Sequence, residues 1–252
     1  MTPFHLLPTR TAGAAENMAL DFLLLQRYPE SVPRFRHYEW RGPAFTFGFS
    51  QKIAFIRASL PTDDHFDLCR RPTGGGLVDH RHDWTYALVL PRSHPLYDER
   101  APQSYRLVHE CLTKALGAFG QPAAVKTVCE EVERIDPATL SGETSCRQGT
   151  PPAGPGICFQ RAELYDVVNT RTGAKIAGAA QKRNKHGLLF QGSIEKGSIE
   201  NIDWDDFQNR FTAALAQVLN SDAIETPWPD LNEDEVSGLI EQYSDPQWIE
   251  YR

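Results

Sequence analysis

No apolar stretch in this 252-residue sequence is long enough to cross a bilayer as a helix, which takes about 20 consecutive apolar residues. The opening residues, MTPFHLLPTR, also lack the basic and apolar regions of a signal peptide. A surplus of positive charge is missing too, because 26 lysines and arginines face 33 aspartates and glutamates, for a net charge of −7. We therefore expect a cytoplasmic protein whose main partner is neither a membrane nor a nucleic acid.

The sequence also has no closely spaced pair of cysteines. Its five cysteines form an odd set without a CxxC motif, which argues against a disulfide framework and against a zinc ribbon. No metal site is expected, and a cysteine with a function is expected to act as a free thiol. The five are Cys69, Cys111, Cys129, Cys146 and Cys158.

Apolar residues recur at helical spacing in several segments of the chain. At this length we expect one domain over residues 1–252, with 221–252 as a short C-terminal extension. The aromatic end of that extension, Trp248 and Tyr251, is expected to pack back on the domain. The predicted helices cover residues 14–27, 103–119, 203–219 and 233–243.

Extended segments lie between these helices. Two aromatic-rich segments, 36–40 and 44–49, flank the turn RGP and predict a β-hairpin. A second hairpin is predicted from 165–168 and 174–181. Apolar runs at 86–90 and 187–194 predict buried strands.

The segment RRPTGGGLVDH at residues 70–80 places two cations and a histidine around three consecutive glycines. Glycines allow a positive φ and let backbone N–H groups approach a ligand closely. The arginines, Arg70 and Arg71, could hold a carboxylate or a phosphate. The alternative is an ordinary glycine turn between two strands.

Two further residues have side chains suited to chemistry. Lys175 lies among small residues on the second predicted hairpin, so it can reach into a pocket; the alternative is a solvated strand lysine. Cys158 follows residues 136–156, which are so rich in proline and glycine that a long loop is predicted. We favour a nucleophilic Cys158 over a buried core cysteine.

Five motifs of the chain resemble the lipoate-protein ligase and octanoyltransferase family in order and spacing. They are ENMALD at 16–21, RHYEW at 36–40, RRPTGG at 70–75, KIAGAAQ at 175–181 and QGSI at 191–194. The resemblance implies an α+β fold, a mixed β-sheet flanked by helices related to biotin ligases and class II synthetases. It also implies transfer of a lipoyl or octanoyl group to a lysine of lipoyl domains, in 2-oxoacid dehydrogenases or the glycine cleavage H protein.

The family contains two kinds of reaction. ATP-dependent ligases activate the free acid as an acyl-adenylate with ATP and Mg²⁺, whereas one group of octanoyltransferases needs no cofactor and takes the acyl group from acyl carrier protein on a cysteine. Cys158-Phe159 matches the cysteine position of that group, although Gly76 matches the triple glycine of the ligases. We favour the transferase, with the ligase as the first alternative and a non-catalytic acyl-binding or lipoyl-domain-binding homologue as the second.

The resemblance also indicates which residues form the site. Lys175 and Cys158 are expected to be catalytic, because a nearby ammonium promotes the thiolate and can stabilise an oxyanion. His80 is expected to hold a structural hydrogen bond rather than to act as a general base. The substrate-binding residues are expected to be Arg70, Arg71, Thr73, Gly74, Gly75, Gly76, His80, Ala177, Gly178, Gln191, Gly192 and Ser193.

Overall fold

A computed structural model describes residues 2–27, 32–62, 65–128 and 162–251. They form an eight-stranded sheet and a three-stranded sheet with helices packed against them, which confirms the predicted α+β class. The helices are α1 (Ala14–Gln26), α2 (Ile53–Arg57), α3 (Ala101–Gly117), α4 (Trp204–Val218), α5 (Glu233–Ser244) and α6 (Pro246–Ile249). The strands are β1 (Thr2–Ala12), β2 (Arg34–Trp40), β3 (Ala44–Phe47), β4 (Asp67–Arg70), β5 (Leu77–Asp79), β6 (Asp83–Pro91), β7 (Ala123–Val125), β8 (Val167–Asn169), β9 (Lys175–Asn184), β10 (Gly187–Glu195) and β11 (Ser221–Glu225).

The large sheet has the order β11-β1-β2-β6-β10-β9-β8-β7 and is mixed. Strand β1 pairs in parallel with β11 and β2, and the remaining pairs are antiparallel. All nine residues of β6 are buried, because this central strand is covered on both faces. Helices α3 and α4 cover one face around Phe35, Trp84 and Phe211, and α1 covers the other.

The predicted hairpin between residues 36–40 and 44–49 is wrong. Both segments are strands, but β2 pairs with β1 and β6 in the large sheet, whereas β3 pairs with β4 and β5 in the small one. The sequence pattern indicates extended backbone without indicating its partner. After Trp40 the chain leaves the large sheet, and the carbonyl of Pro43 accepts a hydrogen bond from the amide of Asp67 beside β4.

The other predicted elements are present, whereas strands β1, β4, β5, β7 and β11 are not among the predicted ones. Helices α1, α3, α4 and α5 agree with the predicted segments within a few residues, and β8 and β9 form the second hairpin. Strand β1 was missed because Pro3 and Pro8 interrupt it, and its pairing with β2 shifts register between Leu7 and Arg10. Within the described ranges, no helix is both long and apolar enough to cross a membrane.

The C-terminal segment packs on the small sheet, as the sequence predicts. Helix α5 lies on α1, and α6 lies on β4. The indole nitrogen of Trp248 donates to the carbonyl oxygen of Arg70 at 2.9 Å, and its ring contacts Tyr243 and Phe49. The glycine stretch at the end of β4 is therefore supported from behind by the last helix.

Candidate active site

A cavity of about 40 Å³ lies between the two sheets. One wall comes from the small sheet and the loop that joins β4 to β5, and the opposite wall comes from β9 and β10. Met18 of α1 and the rings of Tyr38 and Trp40 make part of the lining apolar. The structure brings seven of the predicted site residues to this cavity: Arg71, Gly75, His80, Gly178, Gln191, Gly192 and Ser193.

The glycine loop has a conformation that depends on its residue types. Gly75 has a φ of +90°, a region in which side chains other than hydrogen are strained. Arg71 braces the loop from inside, because its Nη2 donates to the carbonyls of Gly74 at 2.9 Å and Gly76 at 3.0 Å. Gly48 lies behind the loop, where a Cβ would come within 2.2 Å of the Gly75 oxygen. The loop is therefore braced from its inner side by Arg71 and Gly48, while Gly74 and Gly75 are exposed.

If the loop binds the acyl donor that the sequence resemblance implies, Gly75→Val is expected to weaken that binding and to lower stability by about 1–3 kcal/mol, since valine is strained at positive φ. A Cβ at Gly75 would also approach Arg71 Nη2 to 3.0 Å. Titration with octanoyl-acyl carrier protein and urea unfolding measure the two effects. Gly42→Val is the matched control, because Gly42 lies outside the loop and a Cβ there meets no atom within 4 Å. Equal affinity in the two variants would contradict a binding role for this loop.

Arg70 occupies a different position from its neighbour Arg71. Its guanidinium donates to the backbone carbonyls of Phe49 at 2.7 Å, Gln51 at 2.8 Å and Ile249 at 2.7 Å, and its Nε donates to that of Trp248 at 3.0 Å. Arg70 is not among the residues that line the cavity. The sequence predicts that Arg70 binds a ligand, whereas these contacts attach the glycine loop to α6.

Thr73 and Gln191 belong to a buried network beneath the cavity. The Thr73 hydroxyl donates to Gln191 Oε1 at 2.7 Å, and Gln191 Nε2 donates to Asp21 Oδ2 at 2.6 Å. Asp21 in turn forms an ion pair with Arg36 at 2.7 Å, and both side chains are fully buried. Burial also raises the pKa of the Tyr38 hydroxyl, which donates to Asp21. The network ties the glycine loop to β10, α1 and β2.

Lys175 is buried, so the alternative of a solvated strand lysine is wrong. Its Nζ lies 2.6 Å from Asp166 Oδ2, and the side chains are 4% and 9% exposed. A Cβ on Gly178, which lines the cavity, would come within 2.7 Å of Lys175 Nζ. The ammonium therefore lies against Gly178, and a side chain at Gly178 would displace it. Lys175 itself is not among the residues that line the cavity. Ala177, the neighbour of Gly178 in β9, is buried in the core below the cavity instead.

Asp166 had no sequence signal, and its position depends on tertiary contacts. The amide of Glu163 donates to Asp166 Oδ2 at 2.7 Å. The preceding residue, Tyr165, has a left-handed φ of 69°, and its carbonyl accepts a hydrogen bond from His109 Nδ1 at 2.5 Å. Burial lowers the pKa of His109, so the ring is neutral near pH 7. His109 on α3 thus helps to hold the turn that presents Asp166 to Lys175.

His80 lies across the cavity from β9, the strand that carries Lys175. Both nitrogens of its ring are hydrogen-bonded. Its Nδ1 lies 2.6 Å from Asp83 Oδ2, and its Nε2 lies 2.6 Å from Thr46 Oγ1. Burial would raise the pKa of Asp83, but the contacts with His80, Ser193 and Thr85 lower it overall. Asp83 therefore stays ionised, and both nitrogens of His80 are engaged, as expected for a structural hydrogen-bonding histidine.

Cys158 lies outside the described residues, as do Cys129 and Cys146. The two cysteines that the structure does describe, Cys69 and Cys111, are buried. Burial raises the pKa of each of these thiols to about 12, so both are protonated at neutral pH and inert. Within the described parts of the chain, no group of three or more His, Cys, Asp and Glu residues could hold a metal ion.

The fold is that of lipoate-protein ligases. A crystal structure of lipoate-protein ligase A bound with ATP superposes with a TM-score of 0.70 over 99% of both chains, at 16% identity. The bipartite lipoate protein ligase of Thermoplasma acidophilum, solved as part of a lipoylation system with its E2 lipoyl domain, gives 0.70 over 100% of this chain and 98% of that one, also at 16% identity. At these identities the likeness is one of fold.

Sequence comparison gives the family. The lipoyl protein ligase A/B catalytic domain model matches residues 13–211, so the chain belongs to that family. Octanoyltransferase LipM of Lysinibacillus sphaericus is 30% identical over 77% of this chain and 66% of its own length. The same-named proteins of Bacillus cereus and Halalkalibacterium halodurans are 31% and 30% identical, over 78% and 84% of this chain and 65% and 71% of their own lengths. The chain thus spans just under two thirds of the first relatives, and the resemblance seen in the sequence is confirmed.

Proposed function

We propose that the protein transfers an octanoyl or lipoyl group to the acceptor lysine of lipoyl domains, from octanoyl-acyl carrier protein through a thioester on Cys158. The observation that carries the proposal is the buried Lys175–Asp166 pair, which packs against the cavity-lining Gly178. A buried ammonium is costly unless it is paired, so such residues cluster at functional sites. The names of the LipM relatives support the same reaction.

The proposed chemistry consists of two balanced acyl transfers. The Cys158 thiol gives up its proton, and the thiolate attacks the thioester carbon. The C–S bond to the carrier then breaks, and the leaving thiolate takes up the proton that Cys158 released. The acceptor lysine amine then attacks the acyl-enzyme, an amide forms, and the Cys158 thiol is released. A thioester exchanges onto a thiolate without activation, so the reaction needs no ATP, metal or other cofactor.

The part of Lys175 in both steps is electrostatic. Each tetrahedral intermediate carries a negative oxygen, and a fixed ammonium in a site sheltered from water stabilises that charge strongly. Asp166 compensates the charge of the ammonium and fixes its position at 2.6 Å. The apolar side chains of Met18, Tyr38 and Trp40 at the cavity provide surface for the hydrocarbon chain.

The ligase alternative has one favourable observation. Three consecutive glycines at residues 74–76 allow backbone amides to approach phosphate groups closely, and Arg71 lies beside them. ATP and Mg²⁺ would then supply the activation. The non-catalytic alternative has less support, because both the glycine loop and the Lys175–Asp166 pair are intact.

The deciding experiment uses the purified chain with octanoyl-acyl carrier protein and a lipoyl domain, without ATP. Mass spectrometry of the lipoyl domain is expected to show one octanoyl group on its acceptor lysine. A parallel reaction supplies free octanoate with ATP and Mg²⁺ instead. Product only in the parallel reaction would establish the ligase, and product in neither would favour the binding homologue. Lipoyl domains of a 2-oxoacid dehydrogenase and the glycine cleavage H protein are both to be tried as acceptors.

A further inference from the structure

A chain of hydrogen bonds runs from Asp83 through His80 and Thr46 to the glycine loop. Asp83 Oδ2 and His80 Nδ1 are 2.6 Å apart, and His80 Nε2 and Thr46 Oγ1 are 2.6 Å apart. Arg71 Nη1 then donates to Thr46 Oγ1 at 2.8 Å, while its Nη2 donates to the carbonyls of Gly74 and Gly76. Every member is buried except the exposed Gly74 and half-buried Gly76 at its end.

The direction of the first hydrogen bond in this chain follows from Asp83. Asp83 is ionised and only accepts, so His80 carries its proton on Nδ1 and donates it to Asp83. His80 Nε2 and the Thr46 hydroxyl share the next hydrogen bond of the chain. Thr46 Oγ1 also accepts a hydrogen bond from Arg71. Thr46 is therefore the group that joins His80 to Arg71.

The His80 ring is fixed by stacking on one face and by hydrogen bonds at its edge. It stacks on Trp40 with ring centroids 4.0 Å apart. The indole nitrogen of Trp40 donates to Thr85 Oγ1 at 2.9 Å, and that hydroxyl donates to Asp83 Oδ2 at 2.9 Å. Ser193 of β10 donates to the same carboxylate oxygen. A ring fixed in this way gives Thr46 a rigid partner.

We propose that Thr46 is a positioning residue for the acyl-donor site: its hydroxyl couples the rigid His80–Asp83 pair to Arg71 and so holds the glycine loop in its binding conformation. The series Thr46, His80 and Asp83 resembles a nucleophile, a general base and the acid that orients the base. The Thr46 side chain is fully buried, however, and its oxygen faces the Arg71 guanidinium. Thr46 lines part of the cavity, but its oxygen bonds to Arg71 and His80, so we assign its effect to Arg71 and the loop that carries Gly75 at φ +90°. The substrate named in this inference, the acyl donor, rests on the proposed function. The effect of Thr46 on the loop rests on the geometry alone.

A matched pair of variants isolates the hydroxyl. Thr46→Val keeps the shape of the side chain and loses both hydrogen bonds, whereas Thr46→Ser keeps the hydroxyl. We expect Thr46→Val to raise KM for octanoyl-acyl carrier protein about tenfold with little change in kcat, since one buried relay is lost and the reacting groups are untouched. Thr46→Ser is expected to keep a KM within about twofold of the unmodified protein, well short of that tenfold rise.

Hydrogen exchange of the peptide covering residues 70–77 gives a second readout that does not depend on activity. We expect faster exchange in Thr46→Val and unchanged exchange in Thr46→Ser. If Thr46→Val fails to fold, the comparison is repeated at His80. His80→Gln keeps an amide group within reach of Thr46, whereas the shorter side chain of His80→Asn does not reach it. The Gln variant is expected to have the lower KM of the two.

Three outcomes separate the possibilities. Equal KM and equal exchange in Thr46→Val and Thr46→Ser would overturn the positioning role. An octanoyl ester on Thr46 would overturn it too, because the residue would then be a nucleophile. If the unmodified protein shows no transfer at all, the proposed function fails, and the exchange measurement alone decides the role of Thr46.

Discussion

Lys175→Met is expected to leave octanoyl transfer slower by about 10²–10³, the loss that follows removal of one group stabilising an oxyanion. Methionine fills a similar volume but carries no charge, so the pocket stays packed while the electrostatic stabilisation is lost. The initial rate of transfer to a lipoyl domain measures the effect. Lys185→Met is the control, because Lys185 is exposed in the turn between β9 and β10. Activity of Lys175→Met within a few-fold of the unmodified protein would contradict the catalytic assignment.

The stability of the same variant tests the buried pair. From the sequence alone, a strand lysine surrounded by small residues is expected to contribute under about 1 kcal/mol. Because Asp166 is 9% exposed and 2.6 Å from the ammonium, the structure raises that expectation to roughly 3–5 kcal/mol, the cost of leaving a buried charge unpaired. The double variant Lys175→Met with Asp166→Asn is expected to recover much of the loss in urea unfolding without recovering activity.

Cys158→Ser is expected to abolish a covalent intermediate. The unmodified protein, incubated with octanoyl-acyl carrier protein and no ATP, is expected to form an acyl-enzyme that hydroxylamine cleaves. A serine hydroxyl has a far higher pKa than a thiol, and a neighbouring lysine does not supply its alkoxide. Intact-mass spectrometry before and after hydroxylamine treatment measures the adduct.

The control for this experiment is Cys146→Ser, which removes another cysteine and is expected to keep the adduct. The buried thiols of Cys69 and Cys111 are poor controls, because replacing them perturbs the core. Full activity of Cys158→Ser with free octanoate, ATP and Mg²⁺ would refute the transferase mechanism. That result would leave the family, the glycine loop and Lys175 as they are.

Local patterns were sufficient for much of the fold. The periodicity of α3 and α4 and the small-residue hairpin around Lys175 depend on neighbours close in sequence, so the prediction succeeds there. Strand pairing across the sheets depends on distant neighbours. For this reason β2 and β3 look like a hairpin in the sequence and separate into two sheets in the structure.

The same difference between local and distant contacts decides which residues of the candidate site could be predicted. Glycines in series and a lysine among small residues are unusual enough to be noticed in a sequence. Gly75 lines the cavity, and Lys175 packs against the cavity-lining Gly178. Asp166, Asp83 and Thr46 are ordinary residue types whose importance comes only from contacts made by folding. For the two arginines, the residue type alone does not distinguish their roles. Arg70 bonds to α6, whereas the adjacent Arg71 bonds to the glycine loop and Thr46.

The attachment of Arg70 to α6 has a consequence for the order in which the molecule assembles. Its guanidinium bonds to carbonyls 178 and 179 residues further along the chain, and closing so long a segment is entropically costly and slow. The β9–β10 hairpin can pair earlier, because its strands are joined by a short turn. A folding chain can therefore possess this hairpin while the glycine loop is still without its rear support. The fixed conformation of the glycine loop is then among the later features to form, together with the pairing of β1 with β11.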